Sequence, residues 1–408
     1  MRLLSWVVTL GVLAARPAFG GAILYATAAS QDRVDGFCLG RDGALAPTPK
    51  TSLGTAGKRP RRLVVGNGVL YVAEQDRVEA FQIGERGALR RLRGATRPIR
   101  GMDPRDLALS ADGKTLYVPQ HGKDRVAAYP LDAEGAPQPE YTSCVQGRVL
   151  AGYLHVLVNN GLLYASAESA PGRVEVHALG ADGSLKATPV QCRPATATRD
   201  RSAETPPLSE RTRIQKPKSI VLLGDMLYVE ERARRRIIAF QLQPDGTFCD
   251  KSKTMAETCV PPPLATPTCG KRQAKKQRQQ CPASVTDRVL QYERLILEGD
   301  TLLGTQFFRG RVDAYRLLPE PRLPDSPRVR LPSRPTQTSD RDVSMTPVGA
   351  AVSEGALYVA SGELDRVVAY RLGANGGFAN PAPFSRTDEQ KNSFPNDVAV
   401  AMLSGACE

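Results

Sequence analysis

One unit of strand, polar loop, strand and glycine turn recurs seven times along the 408-residue chain, and no other feature narrows the fold as much. The copies begin at Leu24 (LYATAASQDRVDGFCLGRDGAL), Leu70 (LYVAEQDRVEAFQIGERGAL), Leu116, Leu163, Leu227, Leu302 and Leu357. The spacing is 46 residues from Leu24 to Leu70 and again from Leu70 to Leu116. A stretch this short cannot bury its own apolar face, so each copy must pack against its neighbours. A chain of 408 residues is also longer than one compact core usually supports, which agrees with a repeated architecture. With 36 glycines and 32 prolines, turns and short strands are favoured over long helices.

Six of the copies are preceded by a further apolar segment led by Pro or Tyr: PRRLVV from Pro60, PRDLAL from Pro104, YLHVLV from Tyr153, PKSIVL from Pro217, YERLIL from Tyr292 and PVGAAV from Pro347. The first copy has none, whereas PNDVAV from Pro395 stands at the end of the chain with no copy after it. The last segment must therefore complete the first unit. The expected fold is all-β: a seven-bladed β-propeller of four-stranded blades, with strands A to D running from the Pro-led segment to the stretch after the glycine turn. N- and C-terminal strands share one blade and close the ring, which removes the open sheet edges.

The stretch PRDLALSADGKTLYVPQHGKDRVAAYPLDAEG, Pro104 to Gly135, is similar to the Pro-x4-Ser-Pro-Asp-Gly-x-Leu-Tyr-Val blade signature of lactonase-like and YVTN-type seven-bladed propellers. At the level of the repeat the resemblance covers all of residues 21–408. It implies the fold, and it implies function only loosely, since these propellers include lactonases, cyclising isomerases and proteins with no known reaction. The family's enzymes carry a His-x-His pair entering a mid-chain strand A. The corresponding places here hold Asp103 and Arg105, Gln120 stands where Asp-Leu-Gly begins, and a further family histidine falls on Ser219.

Residues 1–20 read as a Sec-type signal peptide: Arg2, an apolar run from Leu3 to Ala15, and a small-x-small site at Ala18–Gly20. No other run is long enough for a membrane span. The expected product starts near Gly21 and is secreted or periplasmic. In that setting the eight cysteines favour disulfides. Cys38 with Cys407 would lock the ring, Cys144 with Cys192 would bridge adjacent blades, and Cys249, Cys259, Cys269 and Cys281 would pin one Pro-rich loop. Eight cysteines allow about 105 pairing schemes, and this set of four bonds leaves the pairing within the loop open. Zinc-type spacing is absent, so no metal site is expected, and no cofactor signature appears.

Copy spacing lengthens to 64, 75 and 55 residues in the second half, which places insertions near 189–215, 250–287 and 319–345. All three fall between strand D and the next strand A, on the face where propellers usually bind ligands. The net charge is +13, and KRQAKKQRQQ at 271–280 holds five basic residues and no acidic one. This suggests an anionic ligand, a glycan or a protein partner. Nucleic acid ranks below glycans and lipid headgroups, because aromatic interleaving is missing. A monomer is expected.

The position two residues into each strand-A segment holds Arg62, Asp106, His155, Ser219, Arg294, Gly349 and Asp397. Polar and different in most blades, it is where one site would be built from seven frames. Arg62, Asp106, His155, Arg294 and Asp397, with His121 from a B-to-C loop, are the candidate ligand-binding residues. Arg opens strand C in every copy (Arg33, Arg77, Arg125, Arg173, Arg236, Arg311, Arg366), which suggests a blade-to-blade structural device. His177 occupies an aromatic position and is read as packing. Without the family histidines the preferred function is a ligand-binding or protein-interaction scaffold with a basic rim. The alternative is a lactonase-like hydrolase acting on a sugar lactone, with Asp106, His155 and Asp397 near the reacting centre.

Overall fold

Leucine–tyrosine strands are buried along their whole length, as in Ala22–Ala28, Thr115–Gln120 and Ala356–Ser361. A strand covered on both faces must read as a nearly continuous apolar run, and these do. In the computed structural model each one lies inside a small antiparallel sheet, and seven such sheets form the blades. The residues described are 21–146, 152–168, 172–186, 216–232, 236–247, 292–306, 311–317, 329–330, 347–362, 364–373, 377–380, 382–389, 393–403 and 407. Residues 1–20, most of the three insertions and the 271–280 run lie outside them.

Blade 1 pairs Val398–Met402, Ala22–Ala28, Arg33–Cys38 and Thr51–Gly54 in that order, so the last strand of the chain completes the first blade. Leu24 faces Val400 in this antiparallel pair. Blade 2 runs Arg62–Gly66, Val69–Ala73, Val78–Ile83, Leu89–Ala95; blade 3 runs Ala108–Leu109, Thr115–Gln120, Arg125–Pro130, Ser143–Gln146. Blade 4 (Tyr153–Asn159, Leu162–Ala167, Arg173–Ala178) and blade 5 (Pro217–Leu223, Met226–Glu231, Arg236–Gln241) show three strands among the described residues. Blade 6 comprises Tyr292–Glu298, Thr301–Gln306, Arg311–Arg316 and Val329–Arg330; blade 7 comprises Pro347–Ser353, Ala356–Ser361, Arg366–Arg371 and Ser385–Arg386.

The core lies between blades rather than within them. Tyr71, Ala80, Leu116, Val118 and Tyr129 form one cluster across blades 2 and 3, and Leu24, Phe37, Tyr358 and Val367 join blades 1 and 7. The tyrosine of the Leu-Tyr pair adds a hydrogen bond to the same interface. Its hydroxyl donates to the carbonyl of the glycine turn in the next blade: Tyr25 to Gly87 at 2.8 Å, Tyr117 to Gly183 at 2.7 Å, Tyr164 to Gly246 at 2.7 Å, and Tyr358 to Gly43 at 2.9 Å. The last of these joins blade 7 back to blade 1. The turn needs glycine twice over, since Gly87 has φ +74 and a Cβ there would sit 1.8 Å from Ile23 Cδ1.

The expected blade-to-blade role of the strand-C arginines is not what their described contacts show: four of them hold groups of their own blade. Arg33 Nε donates to Asp35 at 2.9 Å, Arg125 reaches Gln120 and Tyr141, Arg173 pairs with Glu175, and Arg311 lies 3.1 Å from Asp313. The blade-to-blade contact comes from the aspartate before them. Asp32, Asp124 and Asp365 accept the backbone N–H of Arg59, Gly152 and Phe394, each just before the next strand A. His177 Nε2 lies 3.2 Å from Glu175, inside blade 4.

Cys38 and Cys407 are disulfide-bonded across a sequence separation of 369, and so tie strand C of blade 1 to the end of the chain. Cys144 is also disulfide-bonded. Cys192, Cys249, Cys259, Cys269 and Cys281 lie outside the described residues. Among the described residues no helix is long and apolar enough to cross a membrane.

Candidate functional site

Around the ring, the third residue of each strand-A segment alternates between short acceptors and long donors. In blades 1, 3 and 5 it is Asp397, Asp106 and Ser219. Each accepts a backbone N–H from the next blade: Leu63 at 3.1 Å, Val156 at 3.1 Å and Leu295 at 2.9 Å. In blades 2, 4 and 6 it is Arg62, His155 and Arg294. Arg62 Nη1 lies 3.5 Å from Asp397, and His155 Nε2 lies 3.3 Å from Asp106. Blade 7 has Gly349, where a Cβ would fall 2.1 Å from Asp397 Oδ1. That missing side chain lets Arg294 reach across to Asp397, with Nη1 at 3.6 Å. Burial drives the His155 imidazole down to about 4; Asp106 opposes this, and Arg294 and Arg62 reinforce it. Burial would lower Arg294 too, but Asp397 and Asp106 outweigh it and hold the guanidinium charged.

A cavity of about 680 Å³ opens on the face carrying the B-to-C loops. The residue one step earlier in strand A lines it in all seven blades: Asn396, Arg61, Arg105, Leu154, Lys218, Glu293 and Val348. Arg62, His121 and His155 line it as well. Asp106, Arg294 and Asp397 stand behind that lining, paired with His155 and Arg62 as above. The lining holds six cations (Arg59, Arg61, Arg62, Arg105, Lys218, Arg232) and two carboxylates (Glu168, Glu293), so an anionic or strongly polar guest is favoured.

Two charged groups divide the wall. On one side Asp103 is shared by Arg61, Arg105 and His121, with Arg105 Nη2 at 2.6 Å and His121 Nδ1 at 3.4 Å. Burial alone would raise Asp103, but His121, Arg105 and Arg61 pull it down to about 2, so it stays ionised. Arg61 is lowered, by burial and then by Arg105, which marks an excess of positive charge. On the other side Glu293 binds Lys218 and, at 3.0 Å, Arg232, which also lies 3.6 Å from Glu168. Burial lowers the Lys218 ammonium even with Glu293 beside it. Among the described residues no group of three or more metal-ligating side chains converges.

Arg61, Lys218, Glu293, Arg232, Glu168 and Phe394 were not singled out from sequence, and Asp103 and Arg105 entered only as the places where the family's histidines are missing. The signal was present one residue away from the aligned position, where Arg61, Arg105, Lys218 and Glu293 also differ between blades. Only the folded strands show that this neighbouring position meets the cavity in every blade, whereas the aligned one does so at Arg62 and His155.

Residues 25–152 match a family model described as lactonase, 7-bladed beta-propeller. No curated protein sequence matches significantly. Among solved structures, the periplasmic gluconolactonase of Pseudomonas aeruginosa aligns with a TM-score of 0.64 at 15% identity, covering 93% of this chain and 99% of that one. A provisionally named 6-phosphogluconolactonase from Bacteroides uniformis aligns with a TM-score of 0.63 at 15% identity, over 93% and 99% of the two chains. Its counterpart from Bacteroides fragilis gives 0.63 at 13% identity, over 93% and 97%. Identities this low carry the fold alone. The chain is a closed seven-bladed β-propeller, and its first third resembles the lactonase propeller family.

Proposed function

We propose that this propeller hydrolyses a sugar lactone in the cavity, rather than serving as a binding scaffold. The observation that carries the reading is the His121–Asp103 pair, in which His121 lines the cavity and its Nδ1 lies 3.4 Å from Asp103. Asp103 and Arg105 occupy the places where the family's enzymes carry histidines, and the B-to-C loop of blade 3 brings an imidazole to the same spot. His121 Nδ1 faces the ionised Asp103, which leaves Nε2 as the basic nitrogen.

Nε2 takes a proton from water as the water oxygen bonds to the lactone carbonyl carbon. The carbonyl electron pair moves onto oxygen, where the Arg61 and Arg105 guanidiniums stabilise it. Collapse breaks the ring ester bond. The leaving alkoxide takes the proton back from the imidazolium, and the product is the open-chain hydroxy acid. Similarity to proteins named as gluconolactonases supports the substrate class. The cationic lining also suits a lactone that carries a phosphate or carboxylate. An extracytoplasmic location is part of the reading, supported by the leader-like residues 1–20 and the Cys38–Cys407 bond.

Hydrolysis of glucono-1,5-lactone and its 6-phosphate, followed by acid release above the spontaneous rate, tests this. His121→Asn should lower kcat by about 10²–10⁴-fold while thermal stability holds. If the wild-type protein gives no rate above background with either lactone, the hydrolytic reading falls and the scaffold reading returns.

A further inference from the structure

Phe394 is out of place by every local rule. It is one of three large apolar side chains exposed among the described residues, at 37%, and it is the one of the three that lines the cavity. Its φ is +46, a left-handed conformation that a bulky residue rarely adopts, and Pro395 follows it. The strain is held from several directions. Asp365 Oδ1 accepts the Phe394 N–H at 2.7 Å, the preceding carbonyl of Ser393 accepts from Ser30 at 3.2 Å, and Thr27 Oγ1 accepts the Asn396 N–H at 2.8 Å. The ring lies over Gly362, where a Cβ would meet its Cζ at 3.0 Å. An exposed aromatic kept in a strained, pinned backbone points to a binding role.

From this geometry we infer that Phe394 is a stacking platform for a carbohydrate ring, which deepens and rests on the lactone reading above. The rest of the cavity wall is dominated by charge, suited to hydroxyls and anionic groups. A cyclic sugar also presents a flat face of C–H bonds, and an aromatic face is its natural complement. Phe394 stands on the blade 7–blade 1 side of the cavity, whereas His121 comes from blade 3. It therefore orients the ring without touching the reacting carbon. Phe394 is assigned as a specificity residue, selecting cyclic sugar over acyclic anions.

The test uses calorimetric titration with gluconolactam, which is not hydrolysed, beside lactone kinetics and inorganic phosphate binding. Phe394→Ala and Phe394→Leu should weaken lactam binding and raise KM roughly tenfold, with kcat within about twofold and phosphate affinity unchanged; Phe394→Trp should restore binding. Equal lactam affinity in wild type and Phe394→Ala overturns the platform. So does a parallel loss of lactam and phosphate binding with a lowered Tm, which marks a packing role. A wild type that binds lactam through Phe394 yet turns over no lactone upholds the platform while the hydrolytic reading falls. A wild type with lactone turnover and an unchanged KM in Phe394→Ala does the reverse.

Discussion

His155 shows how a polar residue in a repeat frame becomes part of the scaffold. The folded chain keeps its imidazole neutral down to about pH 4, whereas the ordinary value is 6.5. Between those limits the unfolded chain binds the extra proton, so stability falls as pH drops from 6.5 toward 4. The shift corresponds to about 3 kcal/mol. Urea unfolding of His155→Asn should therefore lose most of the slope that the wild type shows across that window; an unchanged slope would assign the pH dependence to other groups. The polar character of this position was legible in the sequence. Its partners were not, because Asp106 and Asp397 each satisfy a backbone N–H on a neighbouring blade. His121 was legible only as a loop histidine, since its partner Asp103 belongs to the entry of strand A rather than to the loop.

Strands gain their stability from their neighbours in the ring, and the Leu-Tyr pair shows how. Within one pair the side chains meet opposite neighbours: Leu116 packs against blade 2, and Tyr117 packs against blade 4, where its hydroxyl reaches the turn carbonyl of Gly183. Removing only the hydroxyl in Tyr117→Phe leaves the ring packed and the Gly183 carbonyl without its donor. We expect a loss of about 1 kcal/mol in the denaturant midpoint analysis, and no loss if water takes over the bond completely. The repeat made the strands and their order readable, since alternation and turn glycines are local signals. It did not distinguish the two halves of the Asp-Arg pair. Arginine looked like the inter-blade group because it occurs in every copy. The aspartate holds that role, since its short side chain reaches a backbone N–H across the blade boundary whereas arginine folds back onto its own blade.

At the scale of the molecule the ring is closed twice, by the pairing of Ala22–Ala28 with Val398–Met402 and by the Cys38–Cys407 bond. A link spanning 369 residues restricts the unfolded chain strongly. In the chain-entropy account it contributes as much as about 5 kcal/mol. Cys38→Ser with Cys407→Ser should lower the urea midpoint markedly and leave lactone turnover of the folded protein intact. An unchanged midpoint would show that strand pairing alone closes the ring. Periodicity and the misplaced final strand were enough to determine seven blades, their strand order and the shared first blade, because a propeller's topology is written in local repeats. Which side chains meet in the cavity was decided only by the tertiary structure. Neighbouring residues on a strand face opposite ways, and seven distant segments converge on one axis. The register and twist that bring Arg61, Arg105, His121 and Phe394 around one cavity are properties of the closed ring, not of any single blade.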